Sequence, residues 1–359
     1  MKKLIKSGAA AICALTLSVA FSGCSGEKIN IIPDPNPYTF DNSANVIRPD
    51  CDEGMNIDGK FDEEKWKNVR WLTAEDKPNA TQSAKIEFAS FVGEKGIFIG
   101  GKVEETGSNI WVNPDRGSWT NSCLEMYIGP VGYGEEGKHK TIEYDVQADG
   151  SVNNMRVAPD QSSGFDIHTT KDKMPLTAAQ QIGGKVNTPD CTGYTIESFI
   201  PWAFLELAGW DVSDPSELKV GIDPVHIFSL KYEGEDVSDK ITETRIWSRW
   251  SEKVLPGIGW LAPDTYFRFD KGGLMQYDYA VNYSGEGKGT VVAKSGSDKI
   301  FGCGTTTFTV KPRNGAIVKS ITVNGEDYTA KLRESGGSYE FDVKDPEGKL
   351  TIDVEFGFE

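Results

Sequence analysis

The sequence predicts an all-β protein: an antiparallel β-sandwich of jelly-roll or immunoglobulin-like type with short helices, followed by a small C-terminal all-β module. Three observations carry this. From Ala84 onward, short segments alternate apolar and polar side chains, the period of a half-buried strand. Turn signals rich in Gly, Asn and Asp separate them, as at Gly93-Glu94-Lys95-Gly96. Helical patterning is confined to a stretch around Trp66 and another after Pro201. Many short strands bury their inner faces by packing two antiparallel sheets together.

The chain begins with a basic segment, Lys2, Lys3 and Lys6, and an apolar run from Ala9 to Phe21 that is too short for a stop-transfer helix. It ends in Phe21-Ser22-Gly23-Cys24. Small residues before a cysteine after such a run resemble the bacterial lipoprotein signal. The resemblance implies that residues 1–23 are removed, that Cys24 is lipidated, and that the protein is held at the cell membrane, extracytoplasmic and at the cell surface, by its lipid anchor only. A secretory signal cut elsewhere, or an uncleaved anchor, is the alternative. Residues 24–51 are polar, with Pro33-Asp34-Pro35-Asn36-Pro37, and read as a tether.

The formal net charge is -16, and loss of the three lysines in residues 1–23 leaves -19. Such a surface argues against nucleic acid and anionic lipid as partners, since both are bound through cationic patches. Beyond Cys13 and Cys24, Cys51, Cys123, Cys191 and Cys303 show no CxxC spacing, so no zinc site is expected. Buried free thiols are the simpler reading, with one disulfide as the alternative. His139, His168 and His226 are too dispersed for a catalytic cluster.

Taken in order, residues 52–273 begin with Met55 to Val69. Asp58-Gly59 makes a turn, Asp62 can cap a short helix, Glu63 and Glu64 suit the positive helix end, and Phe61 and Trp66 stand at hydrophobic-staple positions. Strands are expected at Ala84 to Val92, Ile97 to Val103, Ser122 to Ile128, Thr141 to Gln147, Tyr194 to Ile200, Leu218 to Ile222, Ile227 to Tyr232, Arg245 to Trp250 and Thr265 to Phe269. Alternation turns Leu124, Met126 and Ile128, and Ile142, Tyr144 and Val146, toward the core. It leaves Glu125, Glu143, Asp145 and Glu197 on the opposite face, where a sheet ordinarily keeps its charges in water. Pro201 suits the first turn of the second helix.

The order Ile57-Asp58-Gly59-Lys60-Phe61-Asp62-Glu63-Glu64-Lys65-Trp66, the hairpin with Ile97-Phe98-Ile99, Asn121 to Ile128, Tyr144 to Gly150, and Gly193 to Trp202 resembles carbohydrate-binding module family 9 and its DOMON-type relatives. Cys123 departs from the small or polar residue more usual there. The resemblance implies a carbohydrate ligand clasped between two tryptophans. The candidates are Trp119 or Trp111 against Trp247, with Arg245, Asn113, Arg116 and Glu125 as polar contacts. The chemistry is apt, since a sugar offers a flat apolar face to an aromatic ring and a rim of hydroxyls to planar polar groups. Each of these tryptophans could equally be a buried packing residue, as Trp66, Trp202 and Trp210 are expected to be. Some family members carry structural calcium, for which Asp58, Asp62, Asp145, Asp149 and Asp223 are candidates; none has EF-hand spacing.

Residues 276–359, with Tyr277 to Tyr283, Thr305 to Gly315, Val318 to Gly325 and Lys349 to Phe356, resemble the divergent B-repeat of internalin-type surface proteins, which implies a spacer or adhesion element. No nucleophile elbow, phosphate loop or metal-ligand spacing marks an enzyme. The expected function is therefore binding of poly- or oligosaccharide in support of its catabolism, with cell-surface glycan-degrading enzymes as partners. Two alternatives stand beside it. One is a haem-binding electron-transfer module using His139 or His168 with Met126 or Met155; the other is an adhesion or scaffold protein without sugar binding.

Overall fold

The computed structural model describes residues 49–76, 82–107, 110–115, 117–158, 165–167, 169, 172–228, 247–248 and 261–359. Cys24, the leader and most of the tether lie outside the described residues. The first part of the chain supplies β1 (Leu72–Asp76), β2 (Ser83–Val92), β3 (Gly96–Thr106), β4 (Cys123–Pro130), β5 (Ile142–Gln147), β6 (Val152–Val157), β7 (Phe165–Asp166), β8 (Leu176–Ile182), β9 (Gly193–Pro201), β10 (Val220–Ile227), β11 (Trp247–Ser248), β12 (Phe267–Asp270) and β13 (Gly273–Leu274). Two sheets result, ordered β1-β2-β3-β9-β8 and β13-β12-β10-β4-β5-β6-β7, with β11 alongside β10. Their described pairings are antiparallel. The fold is the all-β sandwich the alternation predicts.

Leu124, Met126, Ile128, Ile142, Tyr144 and Val146 are all buried in the core between the sheets, as the period-two reading requires. The core is stitched by a polar contact as well: Thr177 on β8 hydrogen-bonds the Tyr144 hydroxyl and stands 2.9 Å from Ser198 Oγ. Strands β1, β6, β7, β8 and β13 were not legible in the sequence, and Leu176–Ile182 shows why. Its middle residues, Ala178-Ala179-Gln180-Gln181, have small or polar side chains with no alternation of apolar and polar, and the segment is held by the ladder to β9. The strand expected at Leu218 to Ile222 is β10, which starts at Val220 and runs on through His226 to Ile227; of the strand expected at Ile227 to Tyr232, residues 229–232 lie outside the described residues.

The expected helices are α1 (Glu64–Asn68) and α2 (Trp202–Leu207). Two local expectations are corrected. Asp62 does not cap α1; the capping position falls on Glu63, whose side chain instead accepts from the Asn56 backbone N–H at 3.2 Å. Pro201 occupies the capping position of α2 in extended conformation rather than its first turn, because it is still the last residue of β9.

A larger correction concerns Glu197. It lies on the face opposite the core, as alternation requires, yet it is 0 % exposed. The segment before α1 folds over it. Asp58 N and Gly59 N both donate to its Oε2 at 3.0 Å, and Trp66 Nε1 donates to its Oε1 at 2.7 Å. Gly59 adopts φ +83°, a left-handed turn conformation that suits glycine. Trp66 packs edge-on against Phe61 and Phe91, within a small second core that includes Ile57, Phe98 and Phe199. Gly100 makes room for this: a Cβ there would stand 2.8 Å from Phe61 and 3.1 Å from Trp66.

The remaining strands form a second pair of sheets. They are β14 (Gln276–Ser284), β15 (Lys288–Ala293), β16 (Lys299–Phe301), β17 (Thr305–Arg313), β18 (Ile317–Val323), β19 (Glu326–Asp327), β20 (Arg333–Ser335), β21 (Ser338–Lys344) and β22 (Leu350–Gly357). The sheet orders are β16-β14-β22-β18-β19 and β15-β17-β21-β20, enclosing a core of their own. Asn324 and Gly325 both take positive φ, +49° and +83°, the hairpin turn their sequence announces. Between this core and the first, Phe301 packs edge-on against Phe267, Cys303 is buried in the first core, and Arg268 donates to Asp345 Oδ1 at 3.0 Å and to the Asp264 carbonyl at 3.0 Å. Cys51, Cys123, Cys191 and Cys303 are free thiols, the last three buried. Burial pushes the Cys303 thiol up to about 12.

Burial raises the Glu197 carboxyl from its ordinary 4.5 to about 7, with nearby Glu63 adding to the rise while the three donors oppose it. The folded state therefore holds this proton more tightly than the unfolded chain. The resulting stabilisation is complete below about pH 4.5 and is lost as pH rises through about 7, an effect of order 3 kcal/mol. Urea denaturation at roughly pH 5 and pH 8 should show wild-type stability falling across this window, and Glu197→Gln should flatten the fall; equal slopes in the two proteins would contradict the assignment.

Candidate functional site

Residues 110–113 run as an extended segment with the alternation of a strand. Ile110 and Val112 are buried in the core, while Trp111 and Asn113 are half-buried on the other side. Side chains clamp the segment from both edges. On one edge, Asn187 Oδ1 accepts from Val112 N at 2.8 Å, and its Nδ2 donates to Val112 O at 2.9 Å. On the other, Ser122 Oγ accepts from Trp111 N at 3.0 Å and Ser122 N donates to Trp111 O at 2.8 Å. Asn121 repeats the pattern on Asn113, accepting from its N–H at 2.9 Å and donating to its carbonyl at 3.1 Å. Asn and Ser side chains thus replace neighbouring strands, fixing the backbone that carries Trp111.

Ser122 leads directly into β4, and the backbone segments of the expected tryptophans lie near this strand end. Cys123, the first residue of β4, pairs with Ile227 at the end of β10, and Ile227 pairs with Trp247 on β11. Trp119 lies on a 3-10 turn (Ser118–Thr120) that precedes the same strand end. By backbone placement, the segments bearing Trp111, Trp119 and Trp247 gather at one end of the outer face of β4.

That outer face is acidic, and two of its carboxylates are buried while Glu143 is half-buried. Register aligns Glu125 with Asp145 and Tyr127 with Glu143. Glu125 is 3 % exposed and Asp145 1 %. The Tyr127 hydroxyl donates to Glu125 Oε1, and Ser118 Oγ donates to Asp145 Oδ2 at 2.6 Å. Carboxylate oxygens of Glu125, Glu143 and Asp145 lie within 4.8 Å of one another. Burial, reinforced by Glu125 and Glu143, pushes the Asp145 carboxyl well above the usual carboxylate range. Burial and the same neighbours raise the Tyr127 phenol far up, which keeps it a hydrogen donor, and burial beside Asp145 and Glu125 raises the Cys123 thiol.

The expectation that these carboxylates face water is therefore corrected for Glu125 and Asp145, while Glu143 is half-buried; Glu125, expected as a polar contact, is a buried side chain that accepts from Tyr127. Asn113 stands next to Trp111, and its Oδ1 accepts from Asp115 N at 2.9 Å, closing a turn. Arg116 and Arg245 lie outside the described residues. Sequence reasoning missed Asn121, Asn187 and Ser118, whose value comes from long-range backbone contacts that no local pattern announces.

Of the calcium candidates, Asp58 is engaged by Lys60, through its backbone N–H at 3.0 Å and its ammonium at 2.8 Å, and Asp149 Oδ1 accepts from Ser151. Asp62 is exposed, and Asp223 is buried on β10 opposite Tyr127. Asp145 alone of the five belongs to the close carboxylate group just described. As for haem ligation, His139 is exposed while Met126 and Met155 are core residues, so that pairing is not formed; His168 lies outside the described residues. His226 is fully buried, with Nε2 3.0 Å from Glu105 Oε1.

No protein-family model matches the chain, and no curated protein matches it in sequence. Among solved structures, it is similar to a family 9 carbohydrate-binding module from Caldicellulosiruptor kristjanssonii in complex with cellotriose, at 13% identity and TM-score 0.36, covering 61% of this chain and 90% of that one. It is similar also to such a module from the same organism in complex with glucose, at 14% identity and TM-score 0.30, covering 49% and 74%. A carbohydrate-binding candidate protein from Bacteroides uniformis is similar at 10% identity and TM-score 0.32, covering 50% and 76%.

The clamp on residues 110–113 makes a local prediction. Asn187→Ala removes both bonds to Val112 and should speed hydrogen exchange of the Val112 amide at least tenfold, a factor corresponding to about 1.4 kcal/mol of local opening. Exchange mass spectrometry reads this directly, and unchanged protection of residues 110–113 would remove the clamp from the account.

Proposed function

We propose that this chain binds saccharide at the end of the outer face where the segments of Trp111, Trp119 and Trp247 meet. The observation that carries the reading is the two-sided clamp on Trp111: a half-buried indole is held on a backbone fixed by Asn121, Ser122 and Asn187. A rigid aromatic platform loses little freedom when a sugar ring lies on it, so its stacking energy is not spent on ordering the loop. Asn113, Arg116 and Arg245 are the proposed polar contacts around it, and Glu125 supports from beneath.

The reading is binding rather than cleavage. Hydrolysis of a glycosidic bond needs two carboxyl groups that flank the bond inside an accessible cleft. Glu125 and Asp145 are 3 % and 1 % exposed. A sugar ring therefore has no path between them.

We place the protein at the cell surface as a lipoprotein anchored through Cys24, serving polysaccharide catabolism by presenting substrate to glycan-degrading enzymes. Residues 276–359 fit the part of a spacer in this scheme.

A glycan array followed by calorimetry on the selected saccharide tests the proposal. Trp111→Ala, Trp119→Ala and Trp247→Ala are each expected to weaken binding tenfold or more, about 1.4 kcal/mol, which is within reach of one lost aromatic contact. Saccharide binding that survives all three substitutions would move the site elsewhere, and an array without any bound glycan would leave an adhesion or scaffold role.

A further inference from the structure

We propose that the hydroxyls of Tyr279 and Tyr283 close the long edge of the C-terminal sheets against an added strand, and that the strand they exclude is β15 of a second copy of this chain. A strand at the end of a sheet turns half of its N–H and C=O groups outward, where another chain can pair with them. Of the four end strands here, β16, β19 and β20 are three, two and three residues long, too short to offer more than a rung or two. β15 has six residues, and Val292 upon it is exposed. This is the edge that an approaching chain would find.

Its outward amides are already taken. Lys294 N donates to the Thr307 carbonyl at 2.8 Å, continuing the ladder between β15 and β17, so by antiparallel alternation the N–H groups of Val291 and Ala293 turn the other way. There Val291 N donates to Tyr283 Oη at 3.1 Å, and Ala293 N donates to Tyr279 Oη at 3.2 Å. Both tyrosines stand on β14 of the opposite sheet, four residues apart and therefore on one face of that strand. Their rings are held in place, Tyr279 edge-on to Phe308 at 5.1 Å and Tyr283 stacked on Phe356 at 6.3 Å. The Tyr279 hydroxyl is fixed further by donating to the Ser297 carbonyl at 3.3 Å. A surface amide that loses such a partner regains one from water, so these bonds add little to stability. What they change is whether a neighbouring strand finds the amide open. Lys288 and Lys294 at the two ends of β15 act in the same direction, since they repel the same lysines of a second copy. The inference is independent of saccharide binding.

The purified protein and its Tyr279→Phe/Tyr283→Phe variant, which keeps both rings, are compared by hydrogen exchange of single amides and by light scattering at raised salt, where the lysines are screened. Exchange at Val291 and Ala293 should speed at least tenfold in the variant. Its mass should rise with concentration toward two copies while the wild type stays at one. Val292→Lys added to the variant should restore the single copy, because it sets one more pair of like charges at the paired edges. Tyr283→Phe alone keeps the test valid should the double variant fail to fold: it should speed exchange at Val291, leave Ala293 unchanged, and associate more weakly. Unchanged exchange at both amides in a folded variant, a variant that stays single at every concentration, or association that Val292→Lys leaves intact overturns the proposal.

Discussion

A carboxylate taken out of water must be met by donors, and the way Glu197 meets this demand organises the sandwich. Two of its donors come from the Asp58-Gly59 turn and one from Trp66, so a single side chain on β9 ties the N-terminal segment to the middle of a sheet. The consequence reaches the site. β9 is the partner of β8, and the connection between these strands carries Asn187, which holds Val112 and through it the backbone of Trp111. The segment that opens the domain and the backbone of Trp111 are thus linked through one hairpin.

Glu197 and Asp145 show two treatments of a buried acid. Glu197 is surrounded by N–H groups from backbone and indole. Asp145 receives one hydroxyl, keeps one oxygen without a partner, and has two other carboxylates beside it. The first arrangement is that of a structural fastening. The second crowds buried carboxylates together, and the protonated form of Asp145 is favoured there.

Much of the fold was legible because strands with one buried face write their orientation into the sequence. Leu124-Glu125-Met126 and Ile142-Glu143-Tyr144 announced both strand and inner face. The outer face was read as solvated because alternation distinguishes two sides and says nothing of what covers the second one. Here the turn at Ser118 covers Asp145, and the Asp58-Gly59 turn with Trp66 covers Glu197. The tryptophan segments were legible as candidates from composition. Their meeting at the end of β4 depends on the pairing of Cys123, Ile227 and Trp247, three positions far apart in the chain. The clamp residues Asn121, Ser122 and Asn187 look like ordinary loop polar residues until the backbone they serve is known.

The C-terminal sheets hold one more consequence. Their first strand, β14, and their last, β22, lie side by side and parallel, joined from Tyr279–Leu350 to Ser284–Glu355. The chain enters the module at the start of β14 and leaves it at the end of β22. Tension applied between these two points would slide the strands lengthwise past each other, loading the ladder of hydrogen bonds together instead of opening it one rung at a time. Parallel pairing of first and last strands thus sets the direction in which the module would resist such a load.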